Sequence, residues 1–281
     1  MEKREKKKIW NGVKEVLLVV IKLPYFFVMG IVYLIKSIIL IFSFLNKKSQ
    51  ESFTEIKVKN KREKMNFKFE DFKVIKIIDG KYEDWKKDIF NSKNHVGIIL
   101  GARGSGKTAI GVKILENIYA NKKVKCFALG FKKEDMPSWI EVIEEISEIK
   151  NDSWVLIDEG GIFFSSRKSM TTPNKLLSDL ILISRHKNLN ILFISQNSSN
   201  LDVNIIRQAD FLILKPSSLL QKDFERKKIK EIYEEVQKDF QNYKNDKTIA
   251  YIYSDAFRGF VKNPLPSFWS THLSKSFEGK E

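Results

Sequence analysis

From residue 96 onward, short continuous apolar runs alternate with longer stretches of helical periodicity. Runs at 96–100, 124–129, 154–157, 190–195 and 211–214 each predict a core strand. Between them, 109–120, 136–150 and 173–187 predict helices. Pro137 opens the second, and the third carries Leu176, Leu177, Leu180, Ile181 and Ile183 on its buried side. This alternation predicts an α/β fold with a mostly parallel sheet and helices on both faces. Ahead of it, Phe67, Phe69 and Phe72 with Val74, Ile75, Ile77 and Ile78 predict one or two strands ended by Asp79-Gly80. Behind it, residues 222–241 predict one charged helix with Phe224, Ile229, Ile232, Tyr233, Val236 and Phe240 in a stripe. The pairs Asp223/Lys227 and Glu234/Lys238 support that helix. Residues 248–253 alternate as a strand, and the aromatic tail 257–277 is expected to pack on the body.

The front of the chain has a different pattern. A basic cluster (Lys3, Arg4, Lys6, Lys7, Lys8) precedes an apolar region, 13–45, interrupted by Lys14, Glu15, Lys22 and Lys36. Pro24 to Leu45 carries a single charge, Lys36, over a length of about 33 Å as a helix, enough for a bilayer core of about 30 Å. The run is too long for a signal peptide, and no small-residue cleavage site follows it. It predicts a membrane anchor. Residues 46–64 then read as a Lys-rich linker suited to anionic headgroups, and the body as residues 65–281. Basic residues at both flanks are compatible with one span or with a shallow re-entrant hairpin bending near Pro24.

Charge follows the same division. The net charge is +15, of which residues 1–64 hold +9 (15 Lys/Arg against 6 Asp/Glu). The body is mildly basic, which permits contact with nucleic acid without requiring it. Cys126 is the only cysteine, so an intramolecular disulfide is excluded. With three histidines besides, a Cys/His zinc site is not expected.

The chemistry concentrates where the run 96–100 empties into Gly101-Ala102-Arg103-Gly104-Ser105-Gly106-Lys107-Thr108. This is the P-loop spacing, with the required strand before it and helix after it. Glycines let backbone N–H groups curl into a nest for phosphate oxygens at a helix N-terminus. Lys107 reaches the β- and γ-phosphates of ATP, and the Thr108 hydroxyl ligates Mg²⁺. About fifty residues on, an apolar run ends in Asp158-Glu159, matching a Walker B strand. Asp158 suits the Mg²⁺ shell, and Glu159 suits a general base for the attacking water. Gln196, at the carboxyl end of 190–195, stands where strand ends line the ligand crevice. Such a site places the body in the cytoplasm. A GTPase is excluded, because the Asn-Lys pairs at 46, 60, 121 and 174 lack Asp two residues on. The transporter Leu-Ser-Gly-Gly signature is absent, and Asp158-Glu159-Gly160-Gly161 lacks the further acid of a superfamily-two helicase.

The run from Ser184-Arg185-His186 to Ile194-Ser195-Gln196, followed by Ile206-Arg207, resembles the FtsK/HerA superfamily of P-loop motors. The style is similar to viral genome-packaging ATPases and to the zonular occludens toxin-like ATPases of filamentous phages. In the latter group the membrane segment usually follows the ATPase domain, whereas here it precedes it. The resemblance covers about residues 94–215. It implies a RecA-like P-loop fold of the additional-strand, catalytic-glutamate type, assembled as a homo-oligomer, six to a ring. It also implies an arginine finger from a neighbouring subunit, with Arg207 and Arg185 as candidates. Double-stranded DNA would be the substrate, contacted at phosphates. Arg167 and Lys168 are candidates for a basic pore loop. An alternative within the resemblance is a virion assembly or extrusion ATPase acting on virion or secretion proteins.

Overall fold

The computed structural model describes residues 2–91, 93–168, 172–218, 221, 223–244 and 246–270. The chain divides into two compact units, Met1–Lys57 and Val58–Glu281.

The first unit lies on helix α1 (Glu2–Glu63). Its described side chains are those of Trp10, Lys14, Met29 and residues 33–57 other than 51 and 53. From Tyr33 to Leu45 every large apolar side chain is exposed, from 51% at Ile35 to 68% at Leu40, all round the helix. Ser37 and Ser43 turn their hydroxyls back onto the carbonyls of Tyr33 and Leu40, at 2.9 and 2.8 Å. Among the described residues no helix is long and apolar enough to cross a membrane. The expected anchor lies in part, at 24–28 and 30–32, outside the described side chains.

In the second unit, nine strands among the described residues form one sheet. They are β1 (Lys73–Gly80), β2 (Val96–Leu100), β3 (Lys125–Leu129), β4 (Ile140–Ile143), β5 (Ser153–Asp158), β6 (Asn190–Ser195), β7 (Phe211–Leu214), β8 (Ile249–Ser254) and β9 (Phe257–Lys262). Their order is β1-β9-β8-β7-β2-β6-β5-β3-β4. The six from β7 to β4 are parallel, and β8, β9 and β1 extend the sheet antiparallel. One strand, β6, separates β2 from β5, as the additional-strand type requires.

Strand alternation builds two cores. Val96, Ile98 and Leu100 of β2, with Val155 and Ile157 of β5, face α5 (Pro173–Lys187), α6 (Val203–Arg207), α7 (Lys227–Glu235) and α8 (Gln237–Asn242). Ile99, Trp154 and Leu156 point to the other face, against α2 (Tyr82–Asn91) and α3 (Lys107–Lys122). The central strands are covered on both sides, which is why they read as continuous apolar runs. Gly97 fits this crowding, because a Cβ there would stand 2.2 Å from the Phe211 ring.

Two expectations fail. Residues 136–150 are not a helix: 3₁₀ turns at Lys133–Asp135 and Ile146–Glu148 flank the edge strand β4. Its Ile140 and Ile143 are buried on pairing with β3, so a tertiary slot overrides local helix preference. Pro137 donates nothing, but its carbonyl accepts from Arg62 at 3.2 Å. Arg62 also donates to the carbonyls of Met136 and Ile140, at 2.9 Å each. The single helix over 222–241 is broken twice: Asp223 is helical and 224–226 are not, and the α7 and α8 that follow are parted at Val236. Phe224 is 70% exposed and off the stripe, because neighbouring Glu225 is buried and accepts from Ser198 N at 2.8 Å. That bond holds the segment before Lys227 out of the helix. The tail does pack on the body: it begins as β9, inside the sheet, and Phe268 and Trp269 lie against the core beyond it, while residues 271–277 lie outside the described residues. The strand expected near 67–78 is β1 alone, and it ends at Gly80 with φ +70°, where a Cβ would meet Ala256 O at 2.2 Å. The turn from β1 into α2, pressed against Ala256, needs glycine there.

Candidate nucleotide-binding site

The phosphate loop follows β2 and is tied from behind. Lys215 N donates to Leu100 O at 2.8 Å, Ala102 N to Pro216 O at 3.0 Å, and Ser105 N to Ala102 O at 3.2 Å. Gly104 (φ +70°) and Gly106 (φ +94°) take left-handed conformations that a side chain would strain. Gly104 and Arg103 are exposed at the lip. Gly106 caps α3, whose first residues are Lys107 and Thr108, so the helix N-terminus opens into the loop. The Ser105 hydroxyl is buried without a hydrogen-bond partner.

Lys107 is 8% exposed, and its Nζ donates to the carbonyls of Gly101 and Ala102, at 2.8 Å each. Burial pulls its ammonium down to about 8, against the opposing charges of Asp158 and Glu159. Those carboxylates are therefore electrostatic neighbours of Lys107, although β6 lies between their strands.

Asp158 is the last residue of β5, and Glu159 the first of helix α4 (Glu159–Lys168). A backbone-to-backbone approach sets the angle of that helix. A Cβ on Gly161 would stand 2.5 Å from Gly130 Cα, at the end of β3. In register, Leu100 lies beside Ser195 and Asp158 beside Ile194. Ser195 thus ends between the phosphate loop and the acidic pair. Its hydroxyl donates to Glu159 Oε2 at 2.7 Å, with Asn197 O a second acceptor at 2.8 Å. Gln196 N approaches the same carboxylate oxygen at 3.4 Å.

The sheet therefore brings together Lys107, Asp158, Glu159 and Gln196, as the motifs predict. The arginines stand apart. Arg207 is exposed at the end of α6, and Arg185, exposed on α5, donates to Gln208 Oε1 at 3.1 Å. They share one surface. Arg167 and Lys168 belong to α4 rather than to a loop, and their side chains lie outside the described residues. One participant had no sequence signal of its own, Lys215, which lies under the loop; Ser195 stood in the motif before Gln196 with no role assigned, and it aims Glu159. Among the described residues no cluster of three His, Cys, Asp or Glu forms a metal site. The loop, the acidic strand and the strand order make this a P-loop NTPase fold.

No family model and no curated protein matches the chain. Among solved structures, it is similar to the genome-packaging NTPase B204 of Sulfolobus turreted icosahedral virus 2 bound to AMPPCP. That likeness has 13% identity and a TM-score of 0.39, over 61% of this chain and 98% of that one. The DNA-packaging ATPase B204 from Sulfolobus turreted icosahedral virus gives 13% and 0.42, over 62% and 99%. EssC (ATPases 2 and 3) from Geobacillus thermodenitrificans gives 8% and 0.39, over 66% and 42%.

Proposed function

We propose that this chain hydrolyses ATP as a membrane-anchored ring ATPase that moves double-stranded DNA. The observation that carries the hydrolytic reading is the placement of Lys107 and Glu159 across one strand, with Ser195 of that strand holding the carboxylate. The residues fit a magnesium triphosphate. Ser105 Oγ is a buried polar atom without a partner, and Lys107 uses two of its three N–H donors on its own loop. Thr108 and Asp158 offer one hydroxyl and one carboxylate, the sparse set that suits Mg²⁺ among phosphate oxygens and water. The bound ion would neutralise phosphate charge. Lys107 then draws charge toward the loop, and Glu159 takes the proton of the attacking water. Gln196 orients that water or the γ-phosphate.

Arg207 or Arg185 completes a neighbour's site, which makes assembly part of the chemistry. Supporting this, both side chains are exposed, and Arg185 is held at the surface by Gln208. Anchoring is supported by the apolar side chains exposed all round α1 from Tyr33 to Leu45, and by serines that satisfy their hydroxyls on their own helix. The DNA reading rests on the motif order and the positive charge. It is tested by the ATPase rate of the full chain in detergent micelles, with and without duplex DNA. Several-fold stimulation is expected. Unstimulated turnover would overturn DNA as the cargo and favour protein partners; absence of turnover would overturn the enzyme reading.

A further inference from the structure

A second lysine lies beneath the phosphate loop. β7 runs through Leu214 into Lys215, which is 0% exposed. The loop packs directly upon it. A Cβ on Gly101 would stand 2.6 Å from Lys215 Cβ, and one on Gly106 would stand 3.6 Å from its Nζ. Nζ donates to the carbonyls of Lys247 at 2.9 Å and Ile249 at 3.1 Å, and to Asn263 Oδ1 at 2.8 Å.

This shell makes two opposed demands. Three acceptors around one nitrogen suit an ammonium, which has three N–H donors, rather than an amine, which has two. Yet all three acceptors are neutral, and a buried charge without a counter-ion is strongly disfavoured. The charged and titratable groups around it do not supply one. Asp246 acts on Lys215 from a distance, and its carboxylate is engaged by Lys262 Nζ at 2.8 Å. Tyr233 donates its hydroxyl to the Lys215 carbonyl, and on the loop side the charge is that of another cation, Lys107. Burial brings the Lys215 ammonium down to about 7, with Asp246 opposing.

We propose that Lys215 is a second phosphate-responsive cation, acting through the loop, so that nucleotide binding and protonation of Lys215 reinforce one another. This rests on the nucleotide-binding reading above. Lys215 touches no phosphate in this scheme; it is a positioning residue whose charge steadies the loop's anion from behind. The bound anion stabilises the ammonium, and the proton comes from the buffer. By reciprocity, the charged lysine tightens binding by the same factor. The contribution is fully present below pH 7 and is lost as pH rises through the value in the bound state.

The test is calorimetric titration of the full chain with ADP at pH 7.5, in two buffers of different ionisation enthalpy. If binding raises the Lys215 value by about one unit, wild type at this pH takes up about half a proton more than Lys215→Met, and binds ADP about threefold more tightly, a factor that grows to about tenfold well below pH 7. Taking the difference cancels protons exchanged by ADP and by Lys107. Asn263→Asp provides a second arm that keeps the lysine. A carboxylate beside Nζ supplies the counter-ion in advance, so the extra uptake disappears and ADP binds more weakly. Wild-type proton uptake in either variant overturns the proposal, and if Lys215→Met does not fold, Asn263→Asp decides. Failure of wild type itself to bind ADP would overturn the nucleotide reading, a result distinct from binding without the linked proton.

Discussion

Replacing Ser195 with alanine removes one atom from the nucleotide site, and its effect can be estimated. The hydroxyl has one proton and two acceptors, Glu159 Oε2 at 2.7 Å and Asn197 O at 2.8 Å. Given to the carboxylate, that proton aims the base; given to Asn197, it frees Glu159 to turn. A hydrogen bond to a charged group contributes about 1.5–3 kcal/mol. Losing about 2 kcal/mol of alignment in the transition state lowers kcat about 30-fold. The phosphate loop is untouched, so nucleotide affinity should stay within about twofold. Ser195→Thr keeps the hydroxyl and should recover most of the rate. Steady-state ATPase kinetics, together with equilibrium binding of a fluorescent ATP analogue, separate the two quantities. A Ser195→Ala protein whose kcat stays within about threefold of wild type would refute the reasoning. So would a loss of affinity as large as the loss of rate, because a damaged fold rather than a misaimed base would then explain it.

Four further outcomes are expected. Lys107→Ala should weaken ATP binding by at least about 100-fold, whereas Glu159→Gln should bind normally and lose turnover by about 10²–10⁴, as measured by filter binding and phosphate release. Arg207→Ala should bind ATP but hydrolyse it poorly, and mixing it with Lys107→Ala subunits should restore part of the activity; mixed rings that assemble without regaining activity would exclude Arg207 as the finger. Removal of residues 1–45 should release the protein from anionic phospholipid vesicles in a flotation assay while ATP binding persists. Cys126 is 2% exposed and burial pushes its thiol up to about 12, so at pH 8 a thiol reagent should label native protein at least about 100-fold more slowly than unfolded protein.

Much of the sheet was legible because its central strands are buried on both faces. Residues 96–100 and 211–214 carry no polar side chain, 190–195 has them only at its ends, and each is a strand with those bounds. Helix α5 was equally clear, since its ends are chemical. Thr172 accepts from Lys175 N at 3.3 Å, Pro173 opens the helix, and Asn188 closes it in the left-handed conformation. The failures share one cause, bonds formed far along the chain. β4 exists because β3 offers an edge, and the first turn expected before α7 is lost because Glu225 reaches Ser198. The candidate site divides in the same way. Lys107, Asp158, Glu159 and Gln196 announce themselves by spacing. Ser195 gains its role only when β6 is inserted between β2 and β5, and Lys215 only when β8 and β9 close over it.

That closure bears on how the chain can be dissected. The motifs end near residue 215, which invites a minimal catalytic fragment cut just beyond β7. Such a fragment would keep every recognisable signature, yet it would lose the oxygens of Lys247, Ile249 and Asn263 and leave Lys215 in water beneath a slackened loop. The carboxyl-terminal hairpin is the floor of the nucleotide cradle, so a cut that respects motif boundaries would divide a single functional part.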